Sequence, residues 1–174
     1  SRDVPLKERT DKANAWKADL FVSIHANAYG DGGWNDAKGI ETYVYTTRPA
    51  AAVKLAEVVQ RNLVQATGRP NRGVKSANFH VLRETKMTAI LVECGFMTNR
   101  EECELLKSDA YRRKCAEAIV AGIVETYGLK RKPEPEPVQT VSDWAREAHV
   151  WAVEQGITDG TRPKDPVTRE EVWA

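Results

Sequence analysis

Long apolar runs are missing from this chain. No stretch approaches the roughly 18 apolar residues that a membrane-crossing helix requires, so none of the 174 residues forms such a span. Charge of one sign is missing as well. The 26 Lys and Arg residues nearly balance 25 Asp and Glu, and a net charge of +1 gives no basis for steering toward nucleic acid. Cysteine is scarce: Cys94, Cys103 and Cys115 form no CxxC pair, and an odd number argues against a disulfide framework. Each lies in or beside an apolar pattern and reads as a small buried hydrophobe. There is no HExxH helix, which excludes the commonest zinc-peptidase arrangement. The sequence opens on Ser1-Arg2-Asp3 with neither an initiator Met nor a visible signal peptide, as expected if a leader was removed or never included.

What is present fits a globular protein: 41% hydrophobic and 29% charged residues, enough chain for one medium domain and a further fragment. Lys130-Arg131-Lys132-Pro133-Glu134-Pro135-Glu136-Pro137 divides it. Proline lacks a backbone donor and fixes its own φ, and the glutamates stay solvated, so residues 130–137 read as a stiff spacer between residues 1–129 and residues 138–174.

In the first part, helix and strand patterns alternate. Pro5 and Leu6 open a helix that runs to Trp16. Leu20–Ile24 reads as a buried strand, and Ile40–Thr46 as a second. Ala52, Leu55, Val59 and Leu63 recur at helical spacing until Gly68 and Pro70 stop them. Phe79–Leu82 is a short strand candidate and Ala89–Val92 a clear buried strand. Residues 108–127 form a helix that Ser108 or Asp109 can cap, with Tyr111, Cys115, Ile119, Ile123 and Tyr127 on one face and Gly128 at its end. Alternation of this kind predicts an α/β fold, a mostly parallel sheet flanked by helices. In the second part Val141–Gln155 reads as a helix capped by Ser142, and Thr168-Arg169-Glu170-Glu171 as a capping box that opens another.

Two apolar strands run into polar residues that do not belong in a core, His25 and Glu93. Sites in open α/β sheets form at the carboxyl ends of strands. Imidazole binds Zn²⁺, and a carboxylate beside it accepts a proton from an attacking water, so the pair points to metal-assisted hydrolysis. By position alone each residue also fits a structural role: a hydrogen-bonded histidine at a strand end, or a salt-bridged or capping carboxylate.

The surrounding sequence adds a resemblance. Ala18-Asp19-Leu20-Phe21-Val22-Ser23-Ile24-His25-Ala26-Asn27-Ala28 resembles the second zinc-histidine motif of the type-3 N-acetylmuramoyl-L-alanine amidases. Ile90-Leu91-Val92-Glu93-Cys94-Gly95-Phe96-Met97-Thr98-Asn99 resembles their catalytic-glutamate motif. Gly39-Ile40-Glu41-Thr42-Tyr43, Arg72-Gly73-Val74-Lys75 and Val81-Leu82-Arg83-Glu84-Thr85 fall between them in the family's order, and Leu6, Arg9, Ala13 and Asn14 match the preceding helix. The resemblance covers residues 1–128. It implies that His25 is a zinc ligand and Glu93 the general base in hydrolysis of the amide between muramoyl and L-alanine in peptidoglycan. It also implies a Zn²⁺ cofactor, cell-wall polymers as partners, and action outside the cell, at the wall, or as a phage lysin released at lysis.

The family's two other zinc ligands, a histidine and a glutamate, belong to a stretch before the part seen here, together with at least one strand. The expectation is therefore a sheet short of its first strand and a polypeptide that is weakly active or inactive alone. The alternative is a non-catalytic wall-binding fragment. His80 matches no ligand motif and is placed in a strand near the site; His149 matches none either. Trp144-Ala145, Trp151-Ala152, Gly156-Ile157-Thr158-Asp159-Gly160 and Pro166–Glu171 resemble a partial surface-layer homology repeat, which implies wall attachment.

Overall fold

The computed structural model describes residues 3–130 and 145–156. These fall into two units, 1–130 and 131–174. The first contains α1 (Leu6–Ala15), β1 (Leu20–Asn27), β2 (Ile40–Val44), α2 (Ala50–Thr67), β3 (Asn71–Ser76), α3 (His80–Arg83), β4 (Thr88–Phe96), α4 (Arg100–Lys107) and α5 (Asp109–Tyr127). The described part of the second is α6 (Arg146–Glu154). The Pro-Glu spacer beyond Lys130, the Ser142 cap, Trp144 and the Thr168 capping box lie outside the described residues.

The sheet has the order β1-β4-β2-β3. β1 and β4 run parallel, as do β2 and β3, while β2 and β4 are antiparallel. Two of three pairings are thus parallel, and the α/β expectation is met by a mixed four-stranded sheet. One face carries the larger core. Ile40, Val44, Ile90 and Val92 pack there against Leu55, Val59 and Leu63 of α2 and Tyr111, Cys115 and Ile119 of α5. The other face carries a smaller cluster, in which Ala89 and Leu91 meet Val81 and Leu82 of α3 and Phe21, Tyr43 and Tyr45.

The helices α2 and α5 approach closely because Gly122 has no side chain. A Cβ there would stand 2.8 Å from Val59 Cγ2 and 3.0 Å from Val59 Cα. Gly68 and Gly128 end the two helices in left-handed conformation, as their sequence positions predict.

Several expectations need correction. Phe79–Leu82 is no strand: His80–Arg83 forms one helical turn, with Arg83 and Glu84 amides donating to the Phe79 and His80 carbonyls. A four-residue apolar run has no period to tell strand from helix, and here the local hydrogen bonds decide. β3 was not expected, because Asn-Arg-Gly-Val-Lys-Ser lacks alternation; pairing with β2 makes it a strand. The short α4 is a further element absent from the expected order, and Asn99 caps it by accepting from the Glu102 amide. Ser108 makes no side-chain cap to α5. β1 was expected to be buried. Instead it is an edge strand with no buried residue, and Ile24 is 58% exposed. Ile24 borders an apolar groove of about 520 Å³ shared with Met97, Leu106 and Tyr111. Cys94 and Cys115 are buried free thiols, as expected, whereas Cys103 is half-buried.

Candidate active site

Both strands run past the residues that had marked their ends, β1 to Asn27 and β4 to Phe96. The site therefore sits within the sheet. His25 is the register partner of Glu93 on the parallel side, and Glu93 is the register partner of Glu41 on the antiparallel side. Partners in register point to the same face, so the three side chains form one row across β1, β4 and β2. That face is the one bearing Leu91, Ala89 and Tyr43, because side chains alternate along a strand.

Glu93 is buried, and its Oε2 has no hydrogen-bond partner among the described residues. An unpartnered buried oxygen costs about 1–3 kcal/mol, so this one invites a functional explanation. Burial, and then the charge of Glu41, push its carboxyl up to about 7. A carboxyl there can both accept and release a proton near neutral pH. His25 behaves oppositely. Although His25 is exposed, partial desolvation by its surroundings, and then the charge of Arg9, lower its pKa and favour the neutral imidazole. Its Nε2 is 2.8 Å from Ser23 Oγ, and Nδ1 has no partner among the described residues.

Glu41 is nearly inaccessible and saturated with donors. Asn27 Nδ2 reaches Oε1 at 2.6 Å and the Tyr43 hydroxyl donates to Oε1 at 2.7 Å. Arg72 Nε donates to Oε2 at 2.7 Å, and Lys75 Nζ bonds the same oxygen. Burial alone would raise this carboxyl, but hydrogen bonds from Lys75, Tyr43 and Arg72 outweigh it and hold the group at about 2. The two neighbouring carboxylates are thus driven apart, one permanently charged and one near neutrality.

A second buried carboxylate frames the site. Glu102, at 0% exposure, accepts from the Gly39 amide at 2.9 Å and the Phe96 amide at 2.8 Å. It ties the start of β2 to the end of β4, two and three residues from Glu41 and Glu93. Gly39 is required in this junction: its φ is +113°, and a Cβ would lie 2.4 Å from the Pro70 carbonyl oxygen. Glu41 lies in a recognised motif, but its role is not legible there, because three of its four partners come from β1 and β3. Glu102 stands in no motif and bonds the Gly39 and Phe96 amides at the ends of β2 and β4, although the Asn99-x-x-Glu102 spacing is a helix-start signal.

His80 is not in a strand beside the pair. It begins α3, with Nε2 3.3 Å from Thr10 Oγ1 of α1. Among the described residues no three His, Cys, Asp or Glu side chains form a set able to hold a metal ion. His25 fits as one donor, but the described residues do not complete a catalytic zinc site, which needs three.

An imidazole, a near-neutral carboxyl and a fixed anion in one row on an α/β sheet have the chemistry of a hydrolytic centre. The profile of the N-acetylmuramoyl-L-alanine amidases matches residues 1–125, and the chain belongs to this family. It is 38% identical over 128 residues to an N-acetylmuramoyl-L-alanine amidase of Bacillus licheniformis, covering 74% of this chain and 48% of that protein. It is 40% identical over 132 residues to the endolysin of Bacillus phage SPP1, covering 73% of this chain and 47% of that one. The crystal structure of an N-acetylmuramoyl-L-alanine amidase from Clostridium difficile 630 superposes with a TM-score of 0.68 at 38% identity, covering 74% of this chain and 68% of that one. The chain spans about half the length of these two curated relatives or less.

Proposed function

We propose that this chain is the part of a peptidoglycan amidase that carries its proton-transfer carboxylate, acting on the amide between N-acetylmuramoyl and L-alanine. The observation that carries the reading is Glu93: a buried carboxyl with an unpartnered oxygen and a pKa of about 7, in register with His25. Family membership supplies the substrate class. In the proposed role Glu93 takes a proton from the attacking water and returns it to the departing alanyl nitrogen. Burial, and after it the charge of Glu41, keep Glu93 near neutrality, and Glu41 holds its own neighbours in place. His25, neutral, is the zinc ligand; zinc when bound polarises the amide carbonyl and acidifies water. The remaining donors do not come from the described residues.

The end groups released from purified Gram-positive cell walls test this reading. An amidase exposes new N-terminal L-alanine and no new reducing sugar. Appearance of reducing sugar alone would replace amidase with a glycan-cleaving activity.

A second reading has its own observation. With no three-donor set among the described residues, the 174-residue polypeptide fits a non-catalytic wall-binding protein. Zinc content separates the two: a polypeptide purified with stoichiometric zinc excludes the second. The segment from 138 onward is proposed to bind wall polymers through its surface-layer-homology-like motifs, with residues 1–129 as the catalytic portion and 130–137 as spacer. Action at the wall, as an autolysin or a phage lysin, follows from the substrate.

A further inference from the structure

Arg72 stands at the far end of the row that contains His25, Glu93 and Glu41. Its Nε is fixed on Glu41 Oε2 at 2.7 Å, and its guanidinium carbon lies 4.8 Å from the centroid of the buried Phe96 ring. Those two contacts set both the direction and the plane of the guanidinium. Neither Nη group has a partner among the described residues, and the side chain is 34% exposed. A planar fork with its outer edge free is the donor geometry that matches a carboxylate in two parallel bonds. Lys75, 37% exposed, bonds the same Glu41 oxygen. Two cations over one anion leave a surplus positive charge at this end of the row.

We propose that Arg72, with Lys75 beside it, forms a subsite for the α-carboxylate of the second stem-peptide residue, so that stems carrying a free acid there are preferred over stems amidated there. This deepens the amidase reading above and rests on it for the identity of the peptide.

Glu93 lies on β4 and its register partner Glu41 on the adjacent β2, and the Arg72 fork is held on Glu41, so the cationic end of the row stands beside the base. In the stem the carboxyl of the first alanine is taken up in a peptide bond, so the second residue carries the first free carboxylate beyond the scissile amide. Sharing of Arg72 with Glu41 does not consume the fork, because only Nε is used. A merely structural Arg72 would neutralise Glu41, which Lys75 already does.

The test compares L-Ala-γ-D-Glu-L-Lys with its counterpart amidated at the glutamate α-carboxyl, both as C-terminal amides. Binding to the 174-residue polypeptide is measured by calorimetry, alongside the Arg72 Nε–H resonance in ¹⁵N spectra. The free acid is expected to bind about tenfold more tightly and to shift that resonance, as a charge-assisted pair gained or lost implies. The preference should fall to near unity in Arg72→Gln and to an intermediate value in Arg72→Lys. Equal affinities in the unmodified chain, a preference untouched by Arg72→Gln, or no binding of either peptide at millimolar concentration would each overturn the subsite. Should Arg72→Gln fail to fold, the parent ratio and the resonance shift decide alone. A preserved preference with reducing sugar in place of N-terminal alanine released from walls would sink the amidase reading and leave the carboxylate subsite standing.

Discussion

Glu93 and Glu41 are adjacent carboxylates with opposite environments, and their titrations have opposite signs. Glu41 is held at about 2 in the fold against an ordinary value of 4.5. Its contribution is complete above pH 4.5 and is lost as pH falls toward 2. Replacing it with Gln is expected to lower the melting temperature at pH 7, with the gap to the parent narrowing in acid below pH 4.5; a gap that stays constant would show that charge is not involved. Glu93 is pushed the other way, to about 7. The fold then binds more protons than the unfolded chain between pH 4.5 and 7, so stability declines across that window. In the metal-free polypeptide Glu93→Gln should therefore raise stability at pH 8, by about 1–3 kcal/mol in urea unfolding, and flatten that decline. His25→Ala should reduce zinc uptake measured by dialysis and metal analysis; unchanged uptake would remove His25 as a ligand. At this scale the sequence was informative about His25 and Glu93, because each interrupts an apolar strand. It was silent on the work of Glu41, Arg72 and Glu102, whose significance lies in partners 14 to 63 residues away.

Among the elements, legibility followed period and length. The helices α2 and α5 have repeating apolar faces over 18 and 19 residues, closed by glycine, and were read correctly within a residue or two. β4, apolar on both faces, could be read as a central strand. β1 has the same apolar look but lies at the sheet edge. Apolar composition reports that a strand can be covered, and its place in the strand order decides whether it is. The difference is measurable: Ile90→Ala should cost about 2–5 kcal/mol, as deletion of a buried branched side chain does, while Ile24→Ala should cost less than about 1. Comparable losses at both positions would mean that β1 is covered in solution. Gly122→Ala tests the α2–α5 contact. Since Val59 backbone closes the space, an added methyl is expected to destabilise by about 1–3 kcal/mol even though alanine favours helix. A neutral or stabilising effect would show that the two helices separate without penalty.

Across the whole molecule, residues 1–130 and 131–174 form separate units, and the row of His25, Glu93 and Glu41 belongs entirely to the first. Deleting residues 131–174 should leave the thermal transition of the first unit unchanged while reducing sedimentation with cell walls; a large drop in melting temperature would mean that the units stabilise one another. The account turns on Glu93 as the proton carrier. The direct measurement is the rate at which new N-terminal L-alanine appears from purified cell walls at saturating zinc, with the parent chain and Glu93→Gln compared at the same length. Loss of general acid–base catalysis predicts a fall of about 10²–10⁴-fold for the variant with its fold and zinc uptake intact. Release of N-terminal alanine at the parent rate by a folded Glu93→Gln variant would contradict the account.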